Sequence, residues 1–275
     1  MAEYGAAVDA EFGTWHHGLM ARFWAEFLVA KPEELAYFGA AIRKFGEPAL
    51  DLGCGTGRIL LPLLAESLDV DGSDISADMI ALAQTTALKE GRTPRLTVQP
   101  LHQLDLSRLY RTVYMCGVFG LGGRRDYDRE ALKRVYRHLH PGGALLITNH
   151  NLPYDANGDG WAQWLPGHRK DLPEEWPTEG DRRTASDGDD IETLFRVADL
   201  NPLEQTTTYQ IHANLWHDGK IVKEEEYSLR INLYLVQEVL LMLDEAGFHE
   251  VTVEAGYTGK PATADDGMVA FVARK

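Results

Sequence analysis

Cysteine is scarce in this 275-residue chain, which has only Cys54 and Cys116. Neither residue belongs to a Cys-x-x-Cys pair or to a mixed His and Cys cluster, and this argues against both a disulfide framework and a zinc site. No metal ion is therefore expected. Two cysteines without a disulfide pattern fit a reducing compartment.

Long apolar runs are also missing. No segment approaches the roughly 18 consecutive apolar residues of a membrane-spanning helix. The first residues, MAEYGAAVDAEFG, lack the basic region followed by an apolar run that is typical of a secretory signal. We therefore expect a cytoplasmic protein with no membrane partner.

Basic residues are outnumbered, with 27 Lys and Arg against 42 Asp and Glu and a formal net charge of −15. Nucleic acid is bound mainly by Lys and Arg that contact phosphates, so this excess of acid argues against a nucleic-acid partner. The composition, 44% hydrophobic and 25% charged, is that of a globular protein.

Strands alternate with helices over residues 47–151. This order predicts βαβ units and therefore an α/β, doubly wound, mostly parallel sheet. Two helices, at 15–30 and 32–45, precede it and form an N-terminal helical cap over 1–46. The predicted strands of this part lie at 48–52, 68–72, 95–98, 110–118 and 144–150, and the helices between them at 57–67, 73–91 and 126–143.

The pattern changes after residue 151. Alternating polar and apolar stretches follow a Trp-rich segment, and Asp218–Gly219 is a strong two-residue hairpin signal. We therefore predict an antiparallel insertion of about three strands over 152–231, acting as a lid on the substrate. The α/β domain resumes over 232–275, with a helix at 234–246 and strands at 249–254 and 268–274.

The stretch PALDLGCGTGRIL contains a glycine turn with Gly53, Gly55 and Gly57 at alternating positions. The dinucleotide fingerprint needs glycine where this chain has Arg58, and no Gly-Lys-Ser/Thr of a P-loop follows. Asp51, just before the turn, would repel a pyrophosphate but attract an ammonium group. The turn therefore favours a ligand with an amino-acid head and no phosphate.

Asp74 follows the second strand, about twenty residues beyond the turn, where a carboxylate accepts hydrogen bonds from two ribose hydroxyls in nucleoside cofactor sites. An ammonium group at one end and a ribose at the other describe S-adenosylmethionine. A nicotinamide-dependent oxidoreductase is the less favoured alternative.

Three segments, LDLGCGTGR, DGSDIS and HLHPGGALLI, resemble those of class I S-adenosylmethionine-dependent methyltransferases. The resemblance covers roughly residues 35–150 and the chain from 234 to the end. In layout the chain is similar to glycine and amino-sugar N-methyltransferases. The resemblance implies a Rossmann-like, seven-stranded sheet whose last strand is antiparallel. It also implies cofactor contacts from Asp51, Gly53, Gly55, Gly57 and Asp74.

The family commonly has an acidic residue after the third strand that binds the adenine amine, but here the sequence is VQPLHQLDL. Leu101 and His102 occupy that place, and Asp105 comes too late. We expect main chain and these two residues to hold adenine, packed against Ile75 and Met79. Further expected cofactor contacts are Cys54 within the turn, as small filler, Gly117 at the mouth of the site, and Arg22, which could clamp the methionine carboxylate.

These features predict methyl transfer to N or O of a small-molecule acceptor, mainly by positioning under the lid. A methyltransferase-like cyclase or ligand-bound regulator remains an alternative, because the cofactor pocket alone does not separate these functions. A hydroxyl acceptor is helped by a base, most simply a histidine. The candidates are His150, at the end of a central strand, and His16 and His17. The insertion could also form a homodimer interface.

Overall fold

The computed structural model describes residues 14–151 and 162–275, with the side chains of 149–151 outside the description. No helix in this part of the chain is long and apolar enough to cross a membrane. The helices are α1 (Gly18–Phe27), α2 (Pro32–Phe45), α3 (Leu60–Ala65), α4 (Ala77–Lys89), α5 (Arg125–His138) and α6 (Val236–Ala246). The strands are β1 (Ala49–Leu52), β2 (Val70–Asp74), β3 (Leu96–Val98), β4 (Tyr110–Cys116), β5 (Leu139–Asn151), β6 (Asp181–Thr184), β7 (Asp190–Asn201), β8 (Thr206–His217), β9 (Lys220–Asn232), β10 (His249–Ala255) and β11 (Met268–Arg274).

Seven strands form one sheet in the order β10-β11-β5-β4-β1-β2-β3. The interior strand β1 is parallel to both of its neighbours, β2 and β4, with Leu50 opposite Asp71 and Val113. Strand β11 is antiparallel to both of its neighbours, β10 and β5. The predicted fold class, a mostly parallel, doubly wound seven-stranded sheet with an antiparallel last strand, is confirmed.

Helices cover both faces of this sheet, as the buried strands require. On one face α5 and α6 bury side chains such as Leu132 and Val239 against the sheet. On the other face α2 and α3 bury Phe38 and Leu60, and the Phe38 ring stacks on Tyr114 of β4 at 4.6 Å between centroids. The four residues of β1 are all buried, because the strand is covered on both sides.

Helix α2 has the predicted bounds, and the reasons are local. Pro32 occupies the first helical position, where its missing N–H costs nothing. Two glutamates stand in the first turn and two basic residues in the last, which complements the helix dipole. Gly46, with a φ of 104°, follows the last residue and ends the helix.

The insertion contains a four-stranded antiparallel sheet, β6-β7-β8-β9, where the sequence predicted about three strands. The missed strand is β6, whose four residues are all exposed and show no polar and apolar alternation. The hairpin predicted at Asp218–Gly219 is confirmed. Both residues have positive φ, 48° and 73°, as a turn matched to the twist of β8 and β9 requires.

Helix α1 packs on one face of the insertion sheet through Leu19, Met20 and Phe23, which contact Ile191 and Ile211 in a small apolar core. We call α1, the segment 14–17 before it, and strands β6 to β9 the cap. The predicted helix at 15–30 is shorter, because residues 14–17 are extended or bent and the chain leaves the helix at 28.

The N-terminus of α1 is hydrogen-bonded both to the α/β domain and to the insertion sheet. Asp78 of α4 accepts a hydrogen bond from the N–H of Gly18 at 2.8 Å. Glu225 of β9 accepts one from the N–H of Leu19 at 2.6 Å. These carboxylates satisfy helix N–H groups that have no partner within the helix, so the cap is anchored to the α/β domain at this point.

Candidate active site

A cavity of about 450 Å³ lies at the carboxyl ends of β1, β2 and β4, between the glycine turn and the cap. This is the edge at which open α/β sheets bind ligands, and the volume is within the range of about 300–1,000 Å³ of small-molecule sites. From the α/β domain the cavity is lined by Gly53, Cys54, Gly55, Thr56, Arg58, Asp74, Ile75, Met79, Pro100, Leu101, His102, Cys116, Gly117, Val118, Leu121, Gly122, Arg124, Tyr127, Asp128 and Ala131, and from the cap by Thr14, His16, Trp24, Ser228, Leu229 and Arg230.

The three glycines of the turn all have positive φ, but they have different surroundings. A Cβ on Gly53 would meet the Val118 side chain at 2.6 Å, and one on Gly57 would meet Leu61 at 2.9 Å. A Cβ on Gly55 would meet nothing within 4 Å. Gly53 and Gly55 line the cavity, whereas Gly57 does not. The cofactor contact predicted for Gly57 is therefore corrected to a packing role under α3.

Asp74 lies at the cavity wall and is 8% exposed. One carboxylate oxygen accepts a hydrogen bond from the N–H of Gly55 at 2.8 Å, and the other accepts one from the N–H of Ser76 at 2.9 Å. Burial raises the pKa of Asp74 despite these bonds. The N–H of Ile75 is a third donor to the group. A carboxylate has about four acceptor positions, so Asp74 can hold the glycine turn and still accept a bond from a hydroxyl.

Asp51 is buried behind the turn and does not line the cavity. Burial raises the pKa of this carboxyl to about 7, with the nearby negative charge of Asp74 adding to the effect and the Arg58 cation opposing it. From this position Asp51 does not reach a ligand in the cavity, so the predicted direct contact between Asp51 and an ammonium group is not observed. Its influence on a ligand is limited to its charge beneath the turn.

The residues predicted to surround adenine come together at one end of the cavity. Ile75, Met79 and Leu101 all line it, and His102 joins them with its ring stacked on Tyr127 at 3.7 Å and 9°. Leu101 and His102 lie on a single turn of 3₁₀ helix, over Leu101–Gln103. Gly117, predicted at the mouth of the site, also lines the cavity. The contact of these residues with adenine stays a prediction.

Cys54 also lines the cavity, but its side chain belongs to the apolar core beneath β1 and is 5% exposed. Burial raises the pKa of its thiol well above the usual value. A thiol that stays protonated in an apolar core is a filler and not a nucleophile, in keeping with the role expected for it.

Arg22 does not reach the cavity, which corrects the carboxylate clamp predicted for it. Its guanidinium pairs with Asp187 at 2.6 Å and Asp189 at 3.5 Å, in the turn between β6 and β7. The cavity wall next to the glycine turn instead contains Arg58. This guanidinium is held by both carboxylate oxygens of Glu34, at 2.7 and 3.1 Å.

The three candidate histidines have different positions. His16 lines the cavity, where the Trp15 indole donates to its Nε2 at 3.1 Å. Indole N–H is only a donor, so the proton of the imidazole is on Nδ1, which donates to the Thr14 hydroxyl at 2.6 Å. Burial, together with the charge of His17, lowers the pKa of His16 to about 4.

His17 does not line the cavity; its ring packs on Tyr227 of β9 at 4.9 Å. The side chain of His150 is outside the described residues. Its backbone lies in β5 opposite Val269, at the sheet edge that holds the cavity.

Two polar residues of the wall were not recognised as site residues from the sequence. Arg58 was considered only as a departure from a glycine fingerprint, and its partner Glu34 was not singled out. Asp128, in the first turn of α5, resembles any acid that favours a helix N-terminus. Its burial and its bonds to Asn232 and Tyr234, at 2.7 Å each, depend on residues about a hundred positions away.

Within the described ranges, no group of three or more His, Cys, Asp or Glu side chains is placed to hold a metal ion.

Comparison with known proteins gives consistent matches. A family model described as a methyltransferase domain matches residues 49–143. A protein of Geobacillus sp. (strain WCH70) that is named as a methyltransferase is 24% identical, over 96% of this chain and 98% of its own.

Two solved structures share the fold over most of the chain, cap included. The CcbJ methyltransferase of Streptomyces caelestis aligns with a TM-score of 0.69 and 19% identity, covering 93% of this chain and 95% of that one. The sugar N-methyltransferase KedS8 of Streptoalloteichus sp. aligns with a TM-score of 0.63 and 19% identity, covering 89% and 87%.

Proposed function

We propose that this chain, a class I S-adenosylmethionine-dependent methyltransferase, transfers the methyl group to an amine nitrogen. The amine belongs to a small molecule bound beneath the cap. The observation that carries the proposal is the composition of the cavity wall. Cofactor-side residues and cap residues line one continuous space, so a small acceptor under the cap would lie next to the cofactor.

The wall fits the cofactor at three points. Open space above Gly55 gives a ligand access to the backbone of the turn. Asp74 accepts three backbone N–H groups and keeps about one of its four acceptor positions, which suits a hydroxyl of a ribose. Ile75, Met79 and Leu101 provide an apolar slot for a flat ring.

S-Adenosylmethionine supplies a methyl group on a sulfonium centre, which is transferred by in-line displacement. The contribution of the chain is then positioning of the acceptor and exclusion of water. Trp24 and Leu229 bring apolar surface to the cavity from the cap. The anchoring of α1 through Asp78 and Glu225 holds this surface over the glycine turn.

Three observations support nitrogen as the acceptor atom. His16, the histidine that the cap brings to the cavity, has both ring nitrogens in hydrogen bonds and a pKa of about 4, so it is a weak base for a hydroxyl. An amine needs only to arrive neutral. The net charge of −15 attracts cationic amines to the protein. KedS8, whose likeness extends over 89% of this chain, is named a sugar N-methyltransferase.

The test is transfer of labelled methyl from S-adenosylmethionine to matched pairs of small acceptors. Each pair has an amino group and a hydroxyl at the same carbon, as in amino sugars and their parent sugars. We expect label in the amino members, at a rate that rises with pH as the amine loses its proton. Label in the hydroxyl members alone would contradict the proposal and indicate O-methylation with a base, for which His150 is the first residue to substitute.

A further inference from the structure

The adenine end of the cavity lacks the acidic residue expected after β3. Leu101 and His102 stand at that place, and the backbone N–H and carbonyl of Asp105 are both bonded to the Gln99 side chain. Asp105 does not line the cavity. Adenine has an exocyclic amine, and a buried amine without an acceptor costs binding free energy. The structure must therefore supply an acceptor from elsewhere or leave this amine to water.

A buried carboxylate lies at this end of the cavity on a different element. Asp128 is in the first turn of α5, lines the cavity and is 7% exposed. The preceding residue, Tyr127, stacks on His102 at 3.7 Å, and Ala131, one turn further along α5, also lines the cavity. The first turn of α5, which carries Asp128, therefore lies beside His102 at the adenine end of the cavity.

The hydrogen bonds of Asp128 leave room for one more donor. Asn232 Nδ2 and the Tyr234 hydroxyl both donate to Oδ2, at 2.7 Å each, and the N–H of Gly120 is a third donor to the group. A carboxylate has about four acceptor positions. Burial raises the pKa of Asp128 to about 6, while the bonds from Tyr234 and Asn232 oppose this, so the group is mainly ionised at pH 8.

The other charged groups at this end are already paired. Arg124 is bonded to Asp126 at 2.7 Å and stacks over Tyr127 at 4.1 Å. Arg230 pairs with Glu204. Guanidinium groups are donors only, so neither of them can accept a bond from an amine.

We propose that the carboxylate of Asp128 accepts a hydrogen bond from the exocyclic amine of the cofactor's adenine, in place of the acidic residue missing after β3. The proposal rests on S-adenosylmethionine as cofactor and is independent of the acceptor. A purely structural reading exists, in which Asp128 only joins α5 to the segment that returns from the insertion. The experiment must therefore measure recognition of the amine and not affinity alone.

Binding calorimetry at pH 8 compares S-adenosylhomocysteine with S-inosylhomocysteine, which has an oxygen in place of the amine. One hydrogen bond to a charged group corresponds to a preference of about 10- to 150-fold for the adenosyl ligand in the wild-type protein. In Asp128→Asn the preference should fall to a few-fold or reverse, because the amide presents a donor as well as an acceptor. If Asp128→Asn does not fold, Asp128→Ala takes its place in the experiment and should also lose the preference.

Tyr234→Phe is the matched control, since it removes one donor to Asp128 and keeps the carboxylate. It should lower the melting temperature and leave the ratio of the two affinities unchanged. An equal loss of affinity for both ligands in Asp128→Asn would assign Asp128 a structural role and overturn the proposal. So would a wild-type protein that binds both ligands equally. Failure of the wild type to bind either ligand would overturn the cofactor assignment as well.

Discussion

Replacing Asp74 with alanine tests the assignment of the ribose site. In the structure its carboxylate accepts the N–H groups of Gly55, Ser76 and Ile75 and keeps about one of its four acceptor positions. The side chain is at the cavity wall. Alanine removes the carboxylate, so the bound ribose loses a charged acceptor and the glycine turn loses its tether to the end of β2.

The size of the effect follows from the number of bonds. A hydrogen bond to a charged group contributes about 1.5–3 kcal/mol. At 1.4 kcal/mol per factor of ten, the loss of one such bond should lower cofactor affinity by about 10- to 150-fold. The N–H of Gly55 borders the cavity and can bond water instead. The N–H of Ser76 is buried and loses its partner, so the free energy of unfolding should fall by about 1–3 kcal/mol.

Calorimetric titration with S-adenosylhomocysteine measures the first quantity and thermal unfolding the second. Asp69→Ala is the control, because Asp69 immediately precedes β2 at the opposite end of the same strand, in an exposed pair with Arg108. It should bind as the wild type does. A folded Asp74→Ala protein that binds within about threefold of the wild type would refute the ribose assignment, since even one lost bond of this kind predicts a tenfold change.

Gly53→Ala should lower the free energy of unfolding by about 2–4 kcal/mol, from the positive φ and the contact with Val118. Gly55→Ala should lower the free energy of unfolding by only about 1–2 kcal/mol. It should still weaken cofactor binding at least about tenfold, because its methyl group would fill the open space through which a ligand reaches the turn. Melting curves and titrations separate the two effects, and a Gly55→Ala protein with normal affinity would contradict this expectation. Asp51 has a pKa of about 7 in the folded protein and about 3.9 in the unfolded chain, so its contribution to the free energy of unfolding declines as the pH rises between these values. Urea titrations should show Asp51→Asn becoming more stable relative to the wild type over this pH range. A stability difference that moves in favour of the wild type as the pH rises would contradict the assignment. If the acceptor is a hydroxyl, His150→Ala should lower turnover more than cofactor affinity, and unchanged turnover would shift attention to His16, which lines the cavity.

The elements that the sequence predicted well are those with local causes. Helix α2 has Pro32 at its start and Gly46 after its end, and β11 is a buried apolar run with the predicted bounds. Helix α3 begins at Leu60, three residues later than predicted, because the turn occupies the chain through Gly57. Strand β6 was not predicted, because no local pattern of residues indicates a strand there. It forms by pairing with β7.

For the candidate site as well, residues with local determinants could be predicted from the sequence and residues placed by distant partners could not. Residues at the ends of parallel strands could be placed together from the sequence, because those ends meet at one edge of the sheet; Asp74 and Gly117 are examples. Arg22 and Asp128 could not be placed. Their positions are set by partners far along the chain, Asp187 for the first and Asn232 for the second, and no local pattern specifies such pairs.

Parallel calorimetric titration of the wild-type protein with S-adenosylmethionine, S-adenosylhomocysteine and NAD tests the identity of the cofactor. We expect tight binding of the first two, one molecule per chain, and no heat from NAD, because the glycine turn stands over the Asp51 carboxylate and lacks the dinucleotide spacing. Binding of NAD alone would contradict the identity of the cofactor and every residue role that depends on it.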